Sequence, residues 1–260
     1  MVQAVWRSII APVGLRQELI WDFQALVLQR ACLLCGDGAA GDLCSRCDRQ
    51  LQRCAISQPH QTWRGKLPLF AWGYYRTTKT PILKRAIAAL KYDQQPILAR
   101  SLGYAVGHAW RQANLLGRSS SPAPAQSSPP AFAPTPTLPR PQPIVVPIPL
   151  HDRKLKSRGF NQAALLARYF CRMARLPCAE QGLIRTQETQ ALFGLDRARR
   201  EAEVAQVFQV GEGLRGRSVL LFDDIYTTGS TVRSAARTLW AAGIPTIGVV
   251  ALARAGIDQA

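Results

Sequence analysis

One stretch near the C-terminus constrains the fold more than any other. Ser218–Ile225 (SVLLFDDI) is an apolar run that ends in two acids, Ser230–Gly243 (STVRSAARTLWAAG) has helical spacing closed by a glycine, and Ile244–Arg254 (IPTIGVVALAR) is apolar again. Strand, helix and strand in that order imply a parallel sheet with right-handed crossovers. The strands lack polar alternation, as expected where helices cover both sheet faces. The same grammar continues upstream. Leu69–Tyr75 (LFAWGYY) and Ile144–Pro149 (IVVPIP) read as strands. Thr80–Tyr92 reads as a helix, with Pro81 in its first turn and Leu83, Ile87 and Leu90 at helical spacing. Further helices are expected over Leu98–Trp110 and Asn161–Leu176, the latter with Leu165, Leu166, Tyr169 and Phe170 on its apolar side. The fold class is α/β, a parallel sheet flanked by helices.

The rest of the chain divides by composition. Residues 3–30 read as a weakly amphipathic helix broken near Pro12 and Gly14. No run reaches ~18 uninterrupted apolar residues and no cleavable leader is visible, so a cytoplasmic protein is expected. Residues 119–143 are rich in Pro, Ser and Ala with a single charge, which cannot bury a core. The expected layout is an N-terminal helix and metal-binding ribbon over 1–60, then an α/β domain over 61–260 that residues 119–143 interrupt as a disordered insertion.

Seven cysteines are an odd number, and four form two close pairs, Cys32-x-x-Cys35 and Cys44-x-x-Cys47. That is a poor disulfide framework and a good metal framework. Two close pairs wrap a tetrahedral Zn²⁺, with glycines in the turns directing amides toward sulfur. A filled shell leaves no position for water, so a zinc here is expected to be structural; an iron–sulfur centre and free or redox-active thiols are the alternatives. Two roles stay open: a staple for a segment too small to hold itself, or a docking surface as well. Cys54 lies outside the paired spacing, and Cys171 and Cys178 read as packing residues. His60, His108 and His151 are isolated from one another.

The acidic strand end carries the chemistry. Asp223 and Asp224 sit at a C-terminal strand edge, where α/β sheets place ligands, and they point in different directions if the strand persists. The loop Thr227-Thr228-Gly229-Ser230-Thr231 then runs into a helix and offers hydroxyls and amides to a phosphate. Acids beside a phosphate cradle suit a ribose 5-phosphate. The competing account is a plain N-cap cluster, with Ser230 or Thr231 capping.

The acidic motif resembles the signature of the type I phosphoribosyltransferases. Together with Pro147-Ile148-Pro149-Leu150, Arg153, Arg158-Gly159-Phe160-Asn161-Gln162, Leu183-Ile184-Arg185, Gln190 and the cysteine pairs, the chain resembles the ComF family of competence-associated proteins. The resemblance implies a type I phosphoribosyltransferase-like sheet behind a four-cysteine zinc ribbon. It implies that Asp223 and Asp224 engage ribose hydroxyls and orient Mg²⁺ through water, while Thr227 to Thr231 hold the 5-phosphate of phosphoribosyl pyrophosphate. Lys84, Lys91, Arg153, Arg158, Asn161 and Gln162 then belong to the pyrophosphate or nucleic-acid side. Two departures stand out: many relatives carry a second cysteine group, absent here, and Glu203-Val204-Ala205 replaces the usual Asn-Val before Phe208.

Thirty-three Lys and Arg against sixteen Asp and Glu give a net charge of +17, which favours an anionic partner. Residues 144–176 hold seven basic residues and one acid, Asp152. Trp63 and Phe160 are available for base stacking, with core packing as the alternative. The family resemblance implies uptake of single-stranded DNA in natural transformation, alongside a helicase-like ATPase and peripheral to the inner face of the membrane. A working phosphoribosyltransferase with an unidentified acceptor is a second reading, and a structural or adaptor protein with a vestigial site is a third.

Overall fold

The computed structural model describes residues 30–57, 59, 67–75, 81–119, 142–187 and 207–255. The expected N-terminal helix, most of the Pro/Ser segment, Trp63, His60 and Gln190 lie outside them. The chain separates into two compact units, one within Met1–Gln50 and one from Leu51 onward.

In the first unit, β1 (Arg30–Ala31) pairs antiparallel with β2 (Gly38–Ala39). The turn between them needs Gly36, whose φ of +79° suits glycine. Helix α1 (Ser45–Gln52) follows.

The second unit is built on a sheet whose described strands run in the order β3–β8–β7–β4, every pairing parallel. The strands are β3 (Leu69–Tyr75), β4 (Ile144–Pro147), β7 (Val219–Tyr226) and β8 (Thr246–Ala255). Between them come α2 (Pro81–Tyr92), α3 (Leu98–Ser119), α4 (Asp152–Arg158), α5 (Gln162–Ala174) and α6 (Ser230–Ala241). A short antiparallel pair, β5 (Leu183–Arg185) with β6 (Phe208–Val210), completes the described elements. The parallel sheet flanked by helices is as the sequence implies. Helix α3 runs nine residues beyond the expected Trp110, and β5, β6, α1 and α4 carry too short a pattern to be read beforehand.

Alternate strand residues fill two separate layers. Val146, Leu221, Val249 and Leu69 stand in one row across the sheet. They pack with Val232, Ala235, Ala236 and Leu239 of α6 and with Leu183 and Phe208 of the small hairpin. On the other face an aromatic column joins the elements: Phe70 to Trp110 at 5.1 Å, Trp110 to Phe170 at 5.8 Å and Phe170 to Phe222 at 5.2 Å. Helices α3 and α5 approach closely there, because a Cβ on Gly103 would lie 2.7 Å from the Leu166 carbonyl and one on Gly107 2.6 Å from the Met173 Cβ. Cys54 is buried beside β3, its carbonyl accepting the Tyr74 amide at 3.3 Å. Cys171 is buried too, its thiol donating to the Pro177 carbonyl at 4.0 Å.

Strand lengths position the site. The β4–β7 ladder ends with Pro147 opposite Phe222, and the last bond across it runs from the Ile148 amide to the Phe222 carbonyl at 2.8 Å. Pro147 and Pro149 have no amide to extend it. Strand β7 continues four residues further, so Asp223 to Tyr226 rise where β4 turns away.

Candidate functional site

The four paired cysteines converge. Their sulfur atoms all lie within 4.8 Å of one another, with Cys35 and Cys44 3.6 Å apart. A tetrahedral zinc with Zn–S bonds of ~2.3 Å needs sulfurs roughly 3.8 Å apart, so the donor set fits this ion. Cys32 and Cys35 flank the glycine turn, while Cys44 precedes α1 and Cys47 sits in its first turn. Local bonds fix the loops: the Gly36 amide donates to the Cys32 carbonyl at 2.8 Å and the Leu33 amide to Asp42 at 3.0 Å. Burial raises the Cys32 thiol, but hydrogen bonds with the backbone at Cys44, Leu34 and Cys35 outweigh it and bring it to about 6. Burial, then the thiols around it, push Cys47 the other way. One easily ionised thiol among crowded neighbours is a state that a divalent metal resolves by displacing protons. Among the described residues this is the one cluster of three or more such ligands, and Cys54 is not part of it.

The acidic edge is assembled from four elements. Asp224 lies on the α5 side of β7 and Asp223 on the α6 side, as alternation along a strand requires. Asp224 is buried. Its Oδ2 pairs with Lys91 of α2 at 2.5 Å and accepts from the Gln162 Nε2 at 3.3 Å, and its Oδ1 accepts the Ile225 amide at 2.8 Å. Gln162, the first residue of α5, in turn accepts from Arg158 at 2.5 Å. Asp223 is half-buried and takes the Asp224 amide at 2.9 Å. Burial, and then the carboxylate of Asp224, hold its carboxyl well above the ordinary range. The described residues therefore present no ready-made Mg²⁺ cage.

The loop after β7 stays open. Thr227, Thr228 and Ser230 are exposed, and Gly229 precedes α6 with a φ of +75°. That backbone conformation is strained for any side chain, and a Cβ there would also run into the Tyr226 ring, so the position calls for glycine. Neither Ser230 nor Thr231 caps the helix, which corrects the N-cap account: the N-cap is Gly229, with no side-chain cap bond. The Ser230 amide has a long contact of 3.4 Å to the Thr228 Oγ1. Exposed hydroxyls and weakly satisfied amides at a helix N-terminus suit an anion. Arg233, one turn into α6, braces the loop by donating to the Thr228 carbonyl at 2.7 Å.

The basic segment forms a helix. Helix α4 has no buried residue and exposes Arg153, Lys154 and Lys156, with His151 accepting the Arg153 amide at 3.4 Å and Gly159 closing it at φ +83°. The structure brings Lys91, Arg158 and Gln162 to the acidic edge. Lys84 is exposed seven residues earlier on α2, about 10 Å along the axis. Asn161 spends both ends on the backbone: its Oδ1 accepts the Ala163 and Ala164 amides at 3.0 and 3.4 Å, and its Nδ2 donates to the Ile148 carbonyl at 3.1 Å. It fixes the loop rather than offering a free amide. Sequence reasoning missed Arg233 and Tyr92. Tyr92 is 73% exposed and lies under Arg158, whose guanidinium is 5.6 Å from the ring centre. Its place directly after Lys91 at the end of a helix was the available signal.

No family model matches the chain. Similarity to named proteins covers part of it. Competence protein F of Haemophilus influenzae is 32% identical over 114 residues, 43% of this chain and 50% of that protein. DNA utilization protein YhgH of Escherichia coli is 31% identical over 110 residues, 42% of this chain and 48% of that protein. Competence protein ComFC of Bacillus subtilis is 36% identical over 97 residues, 37% of this chain and 38% of that protein. The chain spans about half the length of the curated relatives it matches. Among the described residues no helix is long and apolar enough to cross a membrane.

Proposed function

We propose that the protein is a factor of DNA uptake in natural transformation whose α/β domain, of the type I phosphoribosyltransferase kind, holds a phosphorylated ribose and handles incoming single-stranded DNA. The observation that carries this reading is the adjacency of two anion-handling features. The acidic edge and hydroxyl loop leave β7, and the basic helix α4 leaves its register neighbour β4. The names of the relatives, competence and DNA utilization proteins, support the same process.

Each part has a chemical task. Asp223 accepts hydrogen bonds from vicinal hydroxyls of the sugar, and Thr227 to Thr231 with the first turn of α6 take the 5-phosphate. Arg153, Lys154, Lys156 and Arg158 neutralise strand phosphates, and Tyr92 offers a stacking face worth about 1–3 kcal/mol per base. The zinc site holds the N-terminal unit together. A helicase-like ATPase on the cytoplasmic side of the membrane is the partner this setting calls for.

Two measurements test the reading. Calorimetry with phosphoribosyl pyrophosphate and Mg²⁺ should show saturable binding that Asp223→Asn abolishes. Anisotropy with a labelled single strand should give an affinity that falls steeply with salt, and Lys154→Glu with Lys156→Glu should flatten that slope by roughly 0.7 per lost phosphate contact. Absence of both bindings in folded, zinc-loaded protein sinks the proposal. Arg158 beside the acidic edge favours a second activity, displacement of pyrophosphate from the donor by a nitrogen acceptor. Mg²⁺-dependent pyrophosphate release, lost in Asp223→Asn, would reveal it.

A further inference from the structure

Asp223 and Asp224 leave β7 as neighbours and meet different company. Both oxygens of Asp224 are engaged inside the protein: the Ile225 amide at 2.8 Å on one, Lys91 at 2.5 Å and Gln162 at 3.3 Å on the other. The Asp224 side chain is 7% exposed and that of Lys91 16%. Asp223 takes a backbone amide, and among the described residues no lysine or arginine pairs with it. To meet a ligand directly, Asp224 would have to release Lys91 and leave a largely buried ammonium without its counter-ion, the most costly way to break such a pair.

The chain of bonds runs outward from Asp224. Gln162 is buried, donates to Asp224 and accepts from Arg158 at 2.5 Å. Arg158 is the last residue of α4 and lies over Tyr92, which adjoins Lys91 at the end of α2. A primary amide can serve both neighbours at once, donating through nitrogen and accepting through oxygen. Each link joins a different element, so one carboxylate ties α2, α5 and α4 to the end of β7.

We infer that the two acids divide the work: Asp223 meets the ligand, while Asp224 is a positioning residue that, through Lys91 and Gln162, fixes Arg158 and the end of the basic helix beside it. The ligand half rests on the sugar-phosphate reading of this edge. The positioning half rests on the bond geometry alone.

The test separates the two. Lysines of the folded, zinc-loaded protein are acetylated briefly with an N-hydroxysuccinimide acetate ester, and the modified peptides are quantified by mass spectrometry. Lys84, exposed on the same helix, is the internal standard. In the parent Lys91 should react at least about tenfold more slowly than Lys84, a ratio that corresponds to 1.4 kcal/mol of protection. Asp224→Asn should bring Lys91 close to the Lys84 rate, and Asp223→Asn should leave it slow. A slow Lys91 in Asp224→Asn, or a fast one in Asp223→Asn, overturns the division. If Asp224→Asn does not fold, Gln162→Leu replaces it. Lys91 should then stay slow while Arg158 reacts faster with phenylglyoxal, and an unchanged Arg158 overturns the relay.

Calorimetry with phosphoribosyl pyrophosphate and Mg²⁺ reads the ligand half. Lys91→Arg should keep the parent affinity within about threefold and Lys91→Met should lose at least about tenfold, because only the former preserves the ion pair. Equal affinities in the two overturn the positioning role. If the parent binds no phosphoribosyl pyrophosphate, the sugar-phosphate reading and the ligand half fall together, and the labelling still decides the other half.

Discussion

The two sites of this molecule are built in opposite ways. The cysteine cluster draws its four ligands from Cys32 to Cys47, a single turn and the start of one helix. The acidic edge draws Lys91, Arg158, Gln162 and Asp224 from α2, α4, α5 and β7. The first needs only local chain geometry and a metal. The second exists only when the sheet and three helices are in place. A local site fails by losing its ion, and a distributed one fails by losing its packing.

The largest effect should come from the metal. Within the first unit the described buried apolar residues are few: Leu34, Ala39 and the cysteines Cys32, Cys44 and Cys47. Structural zinc contributes about 10–16 kcal/mol to small metal-folded units, far more than that core can. Chelation should therefore remove amide-exchange protection over residues 30–50 and leave β3, β7 and β8 protected. Loss of protection in the sheet at the same chelator concentration would break the contrast, because the sheet would then depend on the metal as well.

A smaller effect should come from the packing of α3 against α5. Replacing glycine by alanine inside a helix ordinarily stabilises by ~1 kcal/mol. At Gly107 the new Cβ would lie 2.6 Å from that of Met173 and 3.0 Å from the Phe170 carbonyl. Overpacking of this kind costs about 1–3 kcal/mol, so the clash wins. Gly107→Ala should lower the unfolding free energy of the sheet unit by a net of roughly 1 kcal/mol, read as a lower denaturant midpoint, and Gly107→Val by more, with zinc content unchanged. A raised midpoint would mean that α3 and α5 can part without loss.

The same contrast explains what was legible beforehand. The cysteine spacing, the apolar strands and the two acids are local patterns, and each could be read from the chain. Helix α4 was not, since its seven residues bury nothing and carry no apolar period. Lys91 was a candidate only as a charge, because nothing local says that it faces Asp224 across 133 positions rather than solvent. Asn161 and Gln162 are adjacent and chemically alike. The fold separates them, turning one to cap α5 and the other to bridge Arg158 and Asp224. A short surface helix and a long-range polar bond leave no periodic trace, so sequence reasoning has nothing to measure.

The finest test concerns Asp223, where function and stability pull apart. Burial and the neighbouring Asp224 raise its carboxyl above the ordinary value, so the folded protein holds a proton that the unfolded chain has released. Over the pH window between the unfolded and folded values, stability then falls as pH rises, by at most about 1.4 kcal/mol per pH unit. Below the unfolded value both states are protonated and the contribution is fully present. Asp223→Asn keeps the shape and removes the titration. The variant should match the parent below the unfolded value and exceed it progressively as pH rises above that value, read as the difference in denaturant midpoints at each pH. A difference constant across that range would mean that the carboxyl is not raised in the folded state. A variant more stable at neutral pH yet unable to bind phosphoribosyl pyrophosphate would show that this acid is kept against the interest of the fold, as residues that meet ligands often are.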